Sequence, residues 1–193
     1  MNQVQTSSPV TPHQGNIAQW QPNETLADVP HVSPDLHRGA MRHLAAAVTI
    51  ITSRSDEQPI GLTATAVCSV TADPPRLVVF VNKRTAASPV ILEHGRLCVN
   101  VLAGDQEEIA RVFASMVPEV VGPARFGHGV WDQLITGAPV LRDALVNIDC
   151  RVVNVFDEST HHAYLCEILA TRERDGGEAL AYLNGAFHRL PDA

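Results

Sequence analysis

A succession of strand-like segments, with few helices between them, constrains the fold of this chain more than any other feature. Apolar and β-branched patterns bounded by polar turns predict strands over residues 48–52, 77–81, 97–102, 144–155, 163–170 and 179–187. Strand follows strand without the alternating helices that a parallel sheet requires. The chain is therefore predicted to be mainly β, as an antiparallel barrel with a few peripheral α-helices.

Short helices are expected beside these strands. Residues 33–35 combine a capping serine, a proline at the first helical position and an early acid, which is typical of a helix start. Ser88-Pro89 is expected to cap a second helix, and residues 105–116 to form a third. The length of 193 residues suits one domain, so residues 33–193 are assigned to it and the polar residues 1–32 to an N-terminal tail.

Charge and hydropathy argue against several classes of partner. The formal net charge of −7 argues against a general nucleic-acid binder, because such proteins need a basic face. The longest apolar run, residues 44–51, is far too short to span a bilayer. The N-terminus shows no basic opening with an apolar segment after it, so no signal peptide is visible. A cytoplasmic protein without nucleic-acid or membrane partners is expected.

The cysteines argue against a metal or redox site. Cys68, Cys98, Cys150 and Cys166 are widely separated, and each lies in an apolar, strand-like stretch. No pair has the close spacing of metal ligands or redox dithiols. All four are therefore predicted to be buried small hydrophobes, and no metal site is expected.

Two segments carry residues suited to a phosphorylated ligand. Residues 61–75 combine small side chains with hydroxyls, which would allow a flat ligand to approach free main-chain amides. Residues 81–88 carry two cations, an amide and hydroxyls just before a predicted helix start, whose dipole favours anions. On the residues alone, the first segment can also be a Thr/Val strand whose threonines face solvent, and the second a solvated basic turn, and both alternatives remain open.

The pair His161-His162 is the remaining candidate. Neighbouring residues on a strand point to opposite faces, so both histidines cannot serve one site in the same way. One of them is a candidate for hydrogen bonding or proton handling, and a shared metal is not expected. The sequence has neither a Gly-x-Gly-x-x-Gly motif nor a Walker loop, so a dinucleotide would have to bind outside the Rossmann scheme.

Several segments of the sequence resemble those of a known protein family. The chain resembles the flavin reductases of two-component monooxygenases, which have the FMN-binding split-barrel fold, and is most similar to reductase components of the 4-hydroxyphenylacetate 3-monooxygenase type. The matching segments, in the family's order, are residues 61–71 with Pro74-Pro75, 97–102, 110–114, 125–126 with Trp131, 138–141, 160–168 and 187–188. They span about residues 36 to 190.

The resemblance implies an activity. The chain would be an NAD(P)H:flavin oxidoreductase, transferring a hydride from nicotinamide C4 to flavin N5 and supplying diffusible reduced flavin to a partner monooxygenase. The flavin would be FMN or FAD, the donor NADH with NADPH as an alternative, and the assembly a homodimer. The alternatives are a reductase of the same fold serving a corrinoid or another hydroxylase, a flavin carrier without turnover, and an FMN-dependent oxidase of the pyridoxamine-phosphate oxidase type.

The resemblance also implies site residues. His161 would be the catalytic residue at the nicotinamide, with Tyr182 and Phe187 beside it. The flavin ring would contact Thr63, Ala64 and Thr65; its phosphate would contact Val81, Asn82, Lys83 and Thr85; and Asn100, Phe113, Ala114 and Phe126 would complete the pocket. An aromatic and basic pair common in the family is replaced here by Leu183-Asn184, on the nicotinamide side.

Overall fold

The computed structural model describes residues 23–192, which form three α-helices and twelve strands. The helices are α1 (Pro34–Met41), α2 (Ala87–His94) and α3 (Glu107–Phe113). The strands are β1 (Ala46–Ala47), β2 (Thr49–Arg54), β3 (Pro59–Ala64), β4 (Val67–Ala72), β5 (Pro75–Asn82), β6 (Arg96–Val101), β7 (Trp131–Gln133), β8 (Pro139–Leu141), β9 (Val146–Glu158), β10 (His161–Glu173), β11 (Ala179–Leu183) and β12 (Ala186–Leu190). Most of the predicted N-terminal tail lies outside the described residues, and its boundary stays a prediction.

The main sheet is antiparallel and curls on itself. It has seven strands in the order β3-β2-β6-β9-β10-β5-β4, with a three-stranded sheet β1-β11-β12 and a pair β7-β8 beside it. The two edge strands β3 and β4 are joined by only two residues, Thr65 and Ala66. Such a link spans about 11 Å at most, so the two edges must meet at that end. The predicted split barrel with peripheral helices is confirmed.

Strand β2 belongs to two hydrophobic cores at once. Its Ile51 packs inside the barrel with buried side chains of β5, β6 and β10. The preceding Ile50 packs on the other side with Phe113 of α3 and Leu180 of β11. Both faces of β2 are therefore buried, which explains why residues 48–52 are almost continuously apolar or β-branched rather than alternating with polar residues.

A buried polar network joins the strands around β2. The Asn100 side chain is fully buried, and its Nδ2 donates to the Ile50 carbonyl at 2.9 Å. Its Oδ1 accepts from the Leu141 amide at 2.8 Å and from Asn147 Nδ2 at 2.9 Å. These bonds tie β2, β6, β8 and β9 together, so Asn100 specifies how the barrel meets its smaller sheets.

Several local predictions were wrong. Residues 179–187 form a hairpin, because Asn184 and Gly185 take φ of 54° and 81°, as in a tight turn between twisted strands. Ser88 does not cap α2, whose capping position is Ala86. Cys68 is exposed, whereas the other three cysteines are buried as predicted.

The predicted start of α1 agrees with the structure, since Ser33 Oγ accepts from the Leu36 amide at 3.3 Å. Every residue of α1 is exposed. Within residues 23–192, no helix has the length and apolar character needed to cross a membrane. In the same range, no group of three or more His, Cys, Asp or Glu residues is arranged to hold a metal ion.

Candidate active site

Most of the predicted site residues line one cavity of about 400 Å³, which we call the main cavity. It lies at the point where the β3–β4 link brings the sheet edges together. Nine predicted residues line it: Thr63, Ala64, Thr65, Asn82, Thr85, Ala114, His161, Tyr182 and Phe187. Residues far apart in sequence therefore meet at a single place on the barrel.

The β3–β4 link offers free hydrogen-bond donors to this cavity. The amide N–H groups of Thr65 and Ala66 make no hydrogen bond to any group of residues 23–192. The Thr63 hydroxyl, by contrast, donates to the Ala110 carbonyl at 2.7 Å, so toward a ligand it can only accept. Small side chains at Ala64 and Ala66 leave the backbone open to close approach by a flat ring.

Strand pairing brings His161 to the cavity. It lies directly opposite Asn82 in the β10–β5 register, and both residues line the cavity. The Thr160 hydroxyl lies 2.8 Å from His161 Nδ1, which fixes the ring and leaves Nε2 as the nitrogen available to a ligand. The half-buried ring is therefore oriented by its neighbour before any ligand binds.

His162 points to the opposite face, as the strand period predicts. Its Nδ1 lies 3.0 Å from the Ser88 hydroxyl and 3.2 Å from the Tyr164 hydroxyl. Tyr164 is fully buried, and burial raises the pKa of its phenol, which stays protonated and donates to the Ser88 carbonyl at 2.9 Å. His162 therefore joins β10 to the start of α2 and takes no part in lining the main cavity.

An aromatic pair forms another wall of the main cavity. The rings of Tyr182 and Phe187 pack edge to face with centroids 5.1 Å apart, held by their pairing across the β11–β12 hairpin. The Arg111 guanidinium lies over Phe187, 5.2 Å from the ring centroid. This wall is apolar and half-buried, which suits stacking of a planar ligand.

A second cavity of about 450 Å³ continues from the first, sharing Leu62, Thr63, Thr85 and Ala114 with it. We call it the cationic cavity, because Arg84 and Arg125 line it. Ala86 and Ala87, at the start of α2, also line it, and their amides have no hydrogen-bond partner within the described chain. Two guanidinium groups and two free amides form a suitable site for a phosphate.

Arg125 is held in place by its neighbours. Its guanidinium donates to the Ser115 hydroxyl at 2.6 Å and to the Phe113 carbonyl at 3.5 Å. Its Nε is buried and has no hydrogen-bond partner in the described chain. The side chain therefore lines the cationic cavity in a position set by Ser115 and Phe113.

Four predicted residues are not brought to the main or cationic cavity. Val81 is fully buried in the barrel core, and Asn100 is buried with its amide satisfied by protein groups. Lys83 turns away to pair with Asp157 and donates to the Ser159 carbonyl at 2.7 Å, and this pairing lowers the pKa of the Asp157 carboxyl. Phe126 packs edge to face against Phe113 in the second core and does not line either cavity.

The structure adds residues that sequence reasoning had not assigned. Phe113 lines the cationic cavity, as predicted for a pocket residue, but Arg84 and Arg125 are its cations. Arg84 lies in the segment 81–88 that the sequence singled out, and it lines the cationic cavity, whereas its neighbour Lys83 does not. Phe80 and Met116 line the main cavity, and no sequence signal distinguished them from ordinary core residues.

Known proteins are similar in sequence to this chain over most of its length. The flavin reductase like domain family matches residues 41–191. The chain is also 40% identical over 173 residues to FMN reductase (NADH) RutF 2 of Rhizobium rhizogenes, covering 88% of this chain and 98% of that protein. The chain belongs to the flavin reductase family.

Other flavin reductases agree in sequence and fold. The chain is 44% identical over 153 residues to the 4-hydroxyphenylacetate 3-monooxygenase reductase component of Pseudomonas aeruginosa, covering 79% of this chain and 89% of that one. The crystal structure of BorF, the flavin reductase component of a bacterial two-component tryptophan halogenase, superposes with a TM-score of 0.76 at 32% identity, over 83% of this chain and all of BorF. The predicted family and the enzyme class, an NAD(P)H-dependent flavin reductase, are confirmed.

Proposed function

We propose that this flavin reductase supplies diffusible reduced flavin to a partner monooxygenase. The observation that carries the proposal is the meeting, in one cavity, of free amides at the β3–β4 link, an oriented histidine and an aromatic wall. These three features match the needs of two stacked planar ligands: polar contacts for the edge of one ring, an apolar wall, and a hydrogen-bonding group for the other ring.

The flavin ring is assigned to the β3–β4 link, and its phosphate to the cationic cavity. The amides of Thr65 and Ala66 would donate to the acceptor atoms on the polar edge of the ring, as the resemblance implies for this segment. The shared wall of Leu62, Thr63, Thr85 and Ala114 leads from there to Arg84 and Arg125. A flavin mononucleotide, with a flat ring at one end and an anion at the other, fits this polarity.

His161 is assigned to the nicotinamide. Its Nε2 is available while Thr160 fixes the ring, so it can hold the nicotinamide or its amide against the flavin. Hydride transfer from nicotinamide C4 to flavin N5 is chemistry that the two bound ligands supply themselves. The protein needs no strong acid or base for it, and its contribution is proximity, orientation and exclusion of water.

The identity of the partner is the finer part of the proposal. The relative from Pseudomonas aeruginosa is named a reductase component of 4-hydroxyphenylacetate 3-monooxygenase, whereas others are named FMN reductase RutF. We favour an oxygenase of the first type, because the 44% identity to that relative exceeds the 40% and 42% identity to two RutF relatives. Neither a corrinoid acceptor nor a carrier role has a supporting observation of its own. A cytoplasmic location is expected, as for other consumers of cellular NADH.

A homodimer is part of the same proposal. Phe80 and Phe156 flank Ala163 in one register row of β5, β10 and β9, and they are 40% and 52% exposed. Phe80 also lines the main cavity. A second copy packed on this row would bury both rings and close the cavity from outside, which would bring each site to the interface.

Consumption of NADH with free flavin tests the activity. Trace amounts of the protein, NADH and an excess of FMN or FAD are followed by the absorbance of NADH. Sustained oxidation over many turnovers is expected. Tight binding of one flavin without turnover would instead identify a carrier and contradict the proposal. Addition of purified 4-hydroxyphenylacetate oxygenase component then tests the partner, through formation of the hydroxylated product.

A further inference from the structure

A third depression lies between α1 and the main cavity, and we call it the α1 groove. It has a volume of about 290 Å³ and shares Thr65 and Tyr182 with the main cavity, so the two are continuous. Its helical side carries Arg38 and Arg42. These residues are one helical turn apart and therefore lie on the same side of α1.

The α1 groove combines positive charge with apolar surface. His37 joins the two arginines, and Met41 and Leu44 line the same depression. No carboxylate of residues 23–192 lines it, although the chain as a whole has a formal net charge of −7. A local cationic surface in an acidic protein attracts anions against the field of the whole molecule.

Both guanidinium groups are available to a ligand. Arg38 pairs with Asp35 on the exposed surface, and such pairs are weak and easily exchanged. The Arg42 side chain forms no hydrogen bond or ion pair with any residue in the range 23–192. With respect to the described residues, the groove therefore presents one unpaired and one exchangeable guanidinium, which suit the binding of a diphosphate.

The groove is also fixed relative to the main cavity. The Arg42 carbonyl accepts a hydrogen bond from the Asn184 amide at 2.8 Å. Asn184 lies in the turn of the β11–β12 hairpin, two residues beyond Tyr182. The end of α1 is thereby joined to the strand that provides the aromatic wall, so a ligand spanning both depressions meets a defined geometry.

We propose that the α1 groove binds the adenosine diphosphate part of the nicotinamide dinucleotide. This inference rests on the proposed function, which assigns the nicotinamide to His161 and Tyr182. The flavin phosphate has its own cations, Arg84 and Arg125, in the cationic cavity. The α1 groove opens from Tyr182, so the diphosphate of the nicotinamide donor would reach Arg38 and Arg42 while its adenine covers Met41 and Leu44.

The test compares two hydride donors in one double variant. NADH carries the adenosine diphosphate, whereas N-benzyl-dihydronicotinamide carries the same reactive ring without any phosphate or adenine. In the Arg38→Gln/Arg42→Gln variant, with FMN as acceptor, the KM for NADH is expected to rise about tenfold, because charged hydrogen bonds to the diphosphate are lost. The rate with the benzyl donor and the KM for FMN should stay within about twofold of the unaltered protein.

The double variant Arg142→Gln/Arg174→Gln is a matched control. It removes the same charge from exposed arginines that line none of the three depressions, and should leave all constants unchanged. An unchanged KM for NADH in the α1 variant would overturn the inference, as would an equal loss with both donors. An effect seen only when FAD replaces FMN would assign the groove to the flavin and also overturn it.

Failure of the proposed function would look different. If the unaltered protein oxidised neither donor, flavin reduction itself would be refuted. Calorimetric titration of the protein with NADH would still test the groove, since weaker binding to the α1 variant than to the control is expected whether or not hydride transfer follows. Equal affinity of the two variants for NADH would overturn the inference on its own.

Discussion

Two sets of polar groups in this barrel differ in whether the protein itself provides their hydrogen-bond partners. In the buried network, the side-chain amides of Asn100 and Asn147 form hydrogen bonds with backbone groups and with each other. In the main cavity, the Thr65 and Ala66 amides and His161 Nε2 have no partner among residues 23–192. Polar groups completed by the protein specify the fold, whereas groups left incomplete beside a cavity indicate where a ligand binds.

The neighbouring histidines repeat this contrast at one position in the chain. His162 contacts Ser88 and Tyr164 in the interior, and His161 is oriented toward the cavity by Thr160. Each therefore belongs to one of the two sets. Substitutions in the first set should reduce stability with little change in ligand affinity, and substitutions in the second should do the reverse.

The largest effect is expected in the buried network. Asn100→Ala removes the side-chain partner of the Ile50 carbonyl and of the Leu141 amide, and one of the hydrogen bonds of Asn147, so the free energy of unfolding should fall by about 3 kcal/mol. Urea denaturation measures this loss, and Asn154→Ala on the exposed side of β9 is the control, with a change below about 0.5 kcal/mol. A fall of less than about 1 kcal/mol for Asn100→Ala would remove the network from this account.

Next comes the histidine pair. His161→Ala should lower kcat/KM for NADH by about 10- to 100-fold through lost orientation of the nicotinamide, with flavin binding and unfolding unaffected. His162→Ala should instead lower the free energy of unfolding by about 1 kcal/mol and leave kcat/KM within about threefold. Steady-state kinetics and urea denaturation of both variants check the pair. Full activity and full NADH affinity in His161→Ala would contradict the assignment.

A smaller effect is expected in the cationic cavity. Arg84→Gln/Arg125→Gln should raise the KM for FMN about tenfold and leave that for riboflavin, which has no phosphate, nearly unchanged. Lys83→Gln is the control, because Lys83 pairs with Asp157 outside both cavities. A larger rise in the KM for FMN with Lys83→Gln than with the double variant would contradict this assignment and place the flavin phosphate at Lys83, as the family resemblance implied.

The smallest expected signal concerns the cysteines. Burial raises the pKa of the Cys98 and Cys150 thiols and raises that of Cys166 to about 12, so all three stay protonated and inaccessible. Titration of the native protein with an aromatic disulfide reagent should modify one thiol rapidly, and Cys68→Ser should abolish that phase. Rapid modification of two or more thiols in the native protein would contradict the described core.

The sequence predicted the barrel because antiparallel strands have a local signature that survives folding. The same period separated His161 from His162, and the segments 61–75 and 81–88, which the sequence singled out, contribute residues to the two cavities. Local sequence patterns do not determine the register, that is, which residues of two neighbouring strands pair with each other. The pairing of His161 with Asn82 is set by the long β10–β5 ladder.

The failures have the same physical origin. The local sequence does not show which of Lys83 and Arg84 faces the cavity, because an irregular turn has no side-chain period. The two differ in the structure because Lys83 pairs with Asp157. Asn100 was assigned to the flavin pocket from the family resemblance, whereas its hydrogen-bond partners in the structure come from β2, β8 and β9. Cys68 was predicted to be buried from its apolar neighbours, but β4 is an edge strand.

Anaerobic reduction of excess FMN by NADH tests the central claim most directly. The protein is mixed with both ligands in the absence of oxygen, the loss of flavin absorbance is followed, and the solution is then ultrafiltered. If the main cavity stacks both ligands and the flavin dissociates after reduction, reduced FMN should appear in the filtrate at many equivalents per chain. Bleaching that stops at one protein-bound flavin per chain, or no bleaching, would contradict the account.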